Sequence, residues 1–189
     1  GRLNRDERGR LLGNFDAKDS VLVVYRNGEY ELTSFDLTNR YEPADVLVLR
    51  KFDPETVISA FYYEATQKLY YVKRFKVETT TIDKKFSLVG EMKGSKLMTA
   101  TADMLPRIEV QYQLKDRGPL EKTILEPAES TDIRGWKALG TKLPYAKVKE
   151  VKLLTPRAVA VSINTPKATS IDKNAVGEES EGITQLDLF

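Results

Sequence analysis

Val21-Leu22-Val23-Val24-Tyr25-Arg26-Asn27-Gly28-Glu29-Tyr30-Glu31-Leu32-Thr33-Ser34-Phe35 is the stretch that decides the fold class. Its first five residues are β-branched, aliphatic and aromatic, the side chains that pack well on a pleated surface. Asn27-Gly28 is the strongest short hairpin signal, because both residues tolerate the positive φ that a type I′ turn requires. Tyr30 to Phe35 then completes a predicted β-hairpin.

Outward from this stretch the pattern returns. Val57-Ile58-Ser59-Ala60-Phe61-Tyr62-Tyr63 precedes a short polar link and Leu69-Tyr70-Tyr71-Val72-Lys73-Arg74-Phe75. A third predicted hairpin pairs Lys96–Ala100 with Arg107–Tyr112. First strands step by 36 and 39 residues (Val21, Val57, Lys96), second strands by 39 and 38 (Tyr30, Leu69, Arg107). Asp45–Leu49 and Lys85–Val89 are further strand candidates. A fourth unit is predicted from Lys122–Leu125 to Val148–Leu154, with Gly135-Trp136 and Gly140 where the backbone can bend or approach closely. A sheet of three or four short strands cannot cover both its apolar faces, so such units must stack on their neighbours. The predicted fold class is all-β. Spacing alone admits a radial stack, a β-propeller, and equally a sandwich or barrel with evenly spaced hairpins.

From Thr155 onward the texture changes. Thr155-Pro156, Thr165-Pro166 and the run Asn174 to Gly182 are rich in Pro, Ser, Thr, Gly and acid. Ala158–Ile163 retains strand character, and a flexible linker is expected beyond Asn164. The expected organisation is a repeat domain of about four units over residues 1–154 and a tail over 155–189.

Composition excludes more than it assigns. The 189 residues contain no Cys and no His, which removes thiolate nucleophiles, Cys- or His-ligated metals and Ser-His-Asp triads. Catalysis by carboxylates, Lys or Tyr has no supporting motif, so no catalytic residue, metal site or cofactor is assigned within this chain. No run approaches the roughly 18 apolar residues of a membrane span, and Gly1–Arg8 is too charged for a signal peptide. A cytoplasmic location without a membrane partner is expected. Net charge is +2, unevenly spread: residues 154–189 carry −2, leaving +4 on the preceding 153. That bias is compatible with a polyanion on one face, and equally with a solvated charged surface.

Ser20–Gly28, Tyr70–Phe75, Gly94–Leu97 and Ile133–Gly140, in this order on the repeat, resemble the C-terminal domain of DNA gyrase and topoisomerase IV A subunits, in a form similar to that of Bacteroidetes-like bacteria. The resemblance runs from about Asp19 to Leu154. It implies a β-propeller-like domain of short antiparallel strands along whose basic perimeter duplex DNA wraps. Family domains have about five or six blades, so a partial or open ring, cut at Gly1, is expected here. It also implies that DNA cleavage, by a tyrosine and metal-binding carboxylates, lies upstream, and that ATP hydrolysis belongs to the B subunit. The parent would then be an ATP-dependent type IIA topoisomerase using Mg2+ and ATP through other regions. Through the upstream part it would meet both its own dimer partner and the topoisomerase B subunit. Arg134-Gly135-Trp136-Lys137 only partly echoes the gyrase box Gln-Arg-Arg-Gly-Gly-Lys-Gly. That departure favours a topoisomerase IV role in relaxation, decatenation and chromosome segregation, associated with the nucleoid. A propeller used purely for protein interaction is the alternative.

Non-specific duplex binding needs Lys and Arg placed to neutralise phosphates. The candidate DNA contacts are Lys73-Arg74 with Lys76, Lys84-Lys85, Lys93 with Lys96, and Arg134 with Lys137 and Lys142. Strand alternation puts Arg74 and Lys76 on one face and Lys73 with Phe75 on the other, so only one of Lys73 and Arg74 is expected to face DNA. Each is otherwise an ordinary surface charge, and Trp136 reads as a core or rim residue.

Gln185-Leu186-Asp187-Leu188-Phe189 resembles the peptide Gln-Leu-Ser/Asp-Leu-Phe by which bacterial replication and repair proteins bind the DNA polymerase sliding clamp. Leu186, Leu188 and Phe189 would fill apolar pockets while the Gln185 amide fixes register. The 28 residues from Arg157 to Thr184 would reach about 30 Å as a flexible coil. The competing reading is that this segment packs on its own domain as a final strand.

Overall fold

The computed structural model describes residues 2–4, 10–90, 92–159 and 184–188. They form four antiparallel sheets and one short helix, α1 (Pro127–Ser130). Sheet 1 has the order β1 (Leu3–Asn4), β14 (Thr184–Leu188), β2 (Arg10–Phe15). Sheet 2 runs β5 (Val46–Lys51), β3 (Ser20–Tyr25), β4 (Glu29–Ser34), β8 (Phe86–Ser87). Sheet 3 runs β9 (Lys96–Thr101), β6 (Val57–Glu64), β7 (Leu69–Lys76), β12 (Thr141–Leu143). Sheet 4 has three strands, β13 (Lys147–Leu154), β10 (Arg107–Gln113) and β11 (Glu121–Leu125).

Period-2 alternation explains how these sheets stack. In β3, Val21 and Val23 join Leu3, Phe15, Tyr41 and Leu49 in one core, while Leu22 and Val24 join Ile58, Ala60, Tyr62 and Phe75 in the next. In β6, Ile58, Ala60 and Tyr62 face sheet 2, whereas Phe61 packs with Tyr70, Val72, Ile108 and Val110 against sheet 4. Successive side chains of one strand thus serve different cores, and both faces of sheets 2 and 3 are covered. That is why their first strands read as continuous apolar runs rather than as half-polar ones. In β10 only Ile108 and Val110 are fully buried, so the far face of sheet 4 stays open.

One edge of each sheet points to a common axis. β2 touches β5, β5 touches β9 and β9 touches β13; no comparable contact joins β13 back to β2 among the described residues. Leu11, Leu12, residues 47–51, residues 100–103 and Leu153 line a cavity of about 390 Å³ where these four strands converge. The fold is an all-β, open, propeller-like array.

The outer edges are built from the following unit, by crossing segments that we call straps and number by the sheet each one joins. After β7 completes the sheet 3 hairpin, strap 2 crosses to sheet 2 and adds β8 to β4. After β11, strap 3 crosses to sheet 3 and adds β12 to β7. After β4, Arg40 bridges Arg2 beside sheet 1. Straps 2 and 3 start alike: Ile82 bridges Leu32 in parallel and the Asp83 amide donates to the Leu32 carbonyl, as Ile133 bridges Arg74 and the Arg134 amide donates to the Arg74 carbonyl.

Three local expectations are corrected. The first turn is not type I′, since Asn27 keeps a negative φ and only Gly28 is positive, at 92°. The Gly28 amide donates to the Tyr25 carbonyl and the Asn27 side chain accepts from the Glu29 amide, a type I turn closed by a left-handed glycine. Lys96–Ala100 and Arg107–Tyr112 are not a hairpin: β9 pairs with β6, and Ala102–Pro106 carries the chain to the next sheet. The third hairpin is β10–β11, so Lys122–Leu125 closes that unit rather than opening a fourth. Pro106 cannot donate to a ladder, which helps end pairing at this crossing. The linker expected beyond Asn164 up to Ile183, residues 160–163 of the strand-like run, and Phe189 lie outside the described residues. Ala158 and Val159 are described and are not in a strand.

Candidate nucleic-acid interface

The ten basic candidates separate according to where the unit places them. Lys73 and Arg74 are central residues of β7 and point to opposite faces. Lys73 is 5% exposed. Its ammonium donates to the Trp136 carbonyl at 2.7 Å and lies 5.1 Å from the Tyr62 ring and 5.7 Å from the Phe75 ring. Burial lowers its pKa to about 8, with the Glu64 carboxylate pulling the other way. The Arg74 guanidinium donates to the Ala128 and Thr131 carbonyls at 3.4 and 3.3 Å, tying α1 and strap 3 to β7. Its Nε is buried without a hydrogen-bond partner. Lys76 is half-buried and paired with Glu55 at 2.5 Å.

The strap cations are free to meet solvent. Lys84 and Lys85 precede β8 on the outer edge of sheet 2, and Lys85 is 53% exposed with Glu29 3.6 Å away. Arg134 and Lys137 precede β12 on the outer edge of sheet 3; Lys142 lies within it and is exposed. Arg134 is 65% exposed, with Asp132 3.8 Å away. Lys93 and Lys96 are also exposed, at the turn leading into β9. There Gly94 sits beside Ala65 of the β6–β7 turn.

Lys85 and Lys137 are brought to one cleft. Between sheets 2 and 3, Tyr62, Lys73, Lys85, Phe86, Trp136 and Lys137 line a cavity of about 400 Å³. Trp136 is half-buried, edge-on to Tyr30 and Phe86 at 6.0 and 5.8 Å. The Lys137 ammonium lies over its ring at 5.3 Å, and Lys84 lies over Phe86 at 5.4 Å. Strap 3 is seated by the Lys73 bond, by Tyr62 donating to the Leu139 carbonyl at 2.7 Å, and by Gly140. Gly140 has φ 87°, and a Cβ there would collide with the Val72 carbonyl. Arg40, exposed on the strap beside sheet 1, is a basic residue that the sequence pattern did not single out. The signal that finds it is its place in the unit, after the second hairpin strand and before the inner strand.

What the arrangement can do chemically is electrostatic. Exposed ammonium and guanidinium groups stand on the outer edges of two adjacent sheets, and the ammonium groups of Lys84, Lys85 and Lys137 lie over aromatic rings. Among the described residues no group of three or more acidic side chains could hold a metal ion. No helix of the described residues is long and apolar enough to cross a membrane.

No solved structure matches the chain. It is 26% identical over 130 residues to the A subunit of DNA topoisomerase 4 from Borreliella burgdorferi, covering 61% of this chain and 20% of that protein. The chain therefore spans about a fifth of the length of this curated relative. The family described as the topoisomerase C-terminal domain of Bacteroidota matches residues 2–155, most of the sequence, and the chain belongs to that family.

Proposed function

We propose that the chain is a non-catalytic duplex-DNA-binding domain from the A subunit of a cytoplasmic type IIA topoisomerase of the topoisomerase IV kind, presenting or bending DNA for relaxation and decatenation. The observation that supports it is the pair of equivalent straps on neighbouring outer edges, carrying Lys84 and Lys85 on one and Arg134, Lys137 and Lys142 on the other. Phosphates laid across both straps meet five cations that no strong ion pair among the described residues withholds. Cleavage, Mg2+ and ATP belong to other parts of the parent enzyme in this reading, as do the contacts within the A-subunit dimer and with the B subunit. The partial gyrase-box echo lies on strap 3, in Arg134-Gly135-Trp136-Lys137, and supports a topoisomerase IV role.

Five phosphate contacts give a binding constant that falls by about 10²–10³-fold between 50 and 200 mM salt, with little sequence preference. Titration of a labelled duplex against the intact chain and against Lys84→Glu/Lys85→Glu/Lys137→Glu reads both terms. Loss of binding and a shallower salt slope in the variant are expected. Absence of duplex binding by the intact chain defeats the reading in favour of a protein-interaction propeller.

The second element is the peptide Gln185–Phe189, which in this reading docks on the DNA polymerase sliding clamp. Deleting Leu188 and Phe189 abolishes clamp binding in calorimetry; unchanged binding, or none by the intact chain, refutes it.

A further inference from the structure

In sheets 2, 3 and 4 the position next to the inner strand is filled by the strand that opens that unit's own hairpin, β3, β6 or β10. In sheet 1 it is filled from far along the chain. β14 lies between β1 and β2, and β1 and β2 make no ladder with each other. The register is specific: Leu3 opposes Leu188 and Asn4 opposes Asp187 on one side, while Thr184 opposes Phe15 and Gln185 opposes Asn14 on the other. Take β14 away and two strand edges are left facing an open gap, beside the core of Leu3, Phe15, Val21, Val23, Tyr41 and Leu49. Such a gap binds an extended peptide through main-chain hydrogen bonds, with sequence adding selectivity.

Four of the five residues that would engage the clamp are thus the backbone of this middle strand. A peptide whose N–H and C=O groups are paired on both sides cannot also lie extended in another protein's groove. We infer that the gap between β1 and β2 is a strand-binding slot that stores residues 185–188, so the peptide becomes open to a partner only on leaving sheet 1. The inference rests on the clamp reading for the identity of that partner, not for the slot itself. Its hold is breakable: the ladder with β2 shifts register between Leu186 and Asp187.

The chain has no cysteine, so one engineered pair reports cleanly. Asn4→Cys/Asp187→Cys places two thiols on directly opposed residues. Cross-strand Cβ atoms stand about 4.5–5.5 Å apart, within a small adjustment of disulfide geometry. Position 187 is the one that the clamp-peptide resemblance leaves variable, so Cys is mild there. Mild oxidation is expected to give a monomeric intramolecular disulfide, to weaken binding of purified sliding clamp by about tenfold or more, and to be reversed by reduction. In the unaltered chain, amides of residues 10–15 are expected to exchange faster once clamp is added. Failure to cross-link within one chain, unchanged exchange in the clamp-bound chain, or equal clamp affinity in the oxidised state overturns the inference. A disulfide that forms in a chain whose reduced state ignores the clamp sinks the clamp reading, and the masking with it, while leaving the slot.

Discussion

Lys73-Arg74 and Lys84-Lys85 look alike as dipeptides and are eleven positions apart, yet the fold gives them opposite work. The first pair sits mid-strand in β7, where one side chain enters the core between sheets and the other reaches back to α1. The second sits in a strap, where the chain lies over a sheet edge and its cations face outward. The difference teaches that a basic pair on a covered blade strand is spent on carbonyls, whereas the same pair on a strap is left facing solvent. Local charge density does not distinguish them. Position within the repeat does.

The sharpest way to break the comparison is to unseat a strap. Gly140→Val adds a side chain where the backbone has φ 87° and the Val72 carbonyl already occupies the space. A loss of about 3 kcal/mol or more is expected in chemical unfolding. The single Trp, Trp136, lies on this strap against Tyr30 and Phe86, so its emission should shift to the red in whatever remains folded. Wild-type stability with unshifted emission would show that strap 3 is not held as described.

Lys73→Ala then separates structure from binding. It removes a buried stem and leaves the Trp136 carbonyl without its donor, and about 2 kcal/mol of destabilisation follows. Duplex affinity of the folded fraction should stay within about twofold of wild type, because Lys73 is only 5% exposed and its ammonium is held on the Trp136 carbonyl. A large affinity loss at unchanged stability would place Lys73 on the DNA side and erase the contrast.

Lys84→Ala/Lys85→Ala is the mirror image. Stability should change by less than about 0.5 kcal/mol, since exposed charges contribute little. Duplex affinity at low salt should fall about tenfold, and the log–log salt slope should flatten by about two units. Equal salt slopes for variant and wild type would remove these two lysines from the interface.

The sequence carried the all-β class and the first two hairpins because apolar period-2 runs and a glycine turn are local signals. Val21–Tyr25 and Val57–Tyr63 read correctly for the same reason that they fold: one strand feeds two cores. Pairing of β9 was not legible, because Lys96–Ala100 followed by Arg107–Tyr112 looks like a hairpin until Pro106 and a non-local partner, β6, are known. The straps were hidden for a different reason. Lys85–Val89 reads as a strand, of which β8 keeps Phe86–Ser87, but its partner belongs to the preceding unit; β12, with three residues, is too short to show a period and also pairs backwards. The alternation of Lys73 and Arg74 could be read from spacing, but which of the two would be buried depends on sheet 2 and Trp136. Arg74 anchoring α1 was beyond any local rule.

The smallest expected effect probes the same contrast through protons. Burial lowers the Lys73 pKa to about 8, against 10.5 for the free side chain. Below pH 8 the group is charged in both states, and the folded chain bears the cost of a desolvated ammonium. Above pH 8 the folded chain releases that proton while the unfolded chain keeps it up to about 10.5, so the unfolded state binds more protons and stability rises with pH. After allowance for partial solvation, a gain on the order of 1 kcal/mol between about pH 8 and 9.5 is expected. The buried tyrosines act in the opposite sense at higher pH: burial raises Tyr25 and Tyr62 above the usual phenol value, so stability falls once the unfolded chain ionises near pH 10. The informative quantity is therefore the difference between wild type and Lys73→Met over that window. The rise should vanish in the variant and persist in Lys84→Ala/Lys85→Ala; a rise that survives in Lys73→Met would mean that the ammonium is not buried in the folded chain at all.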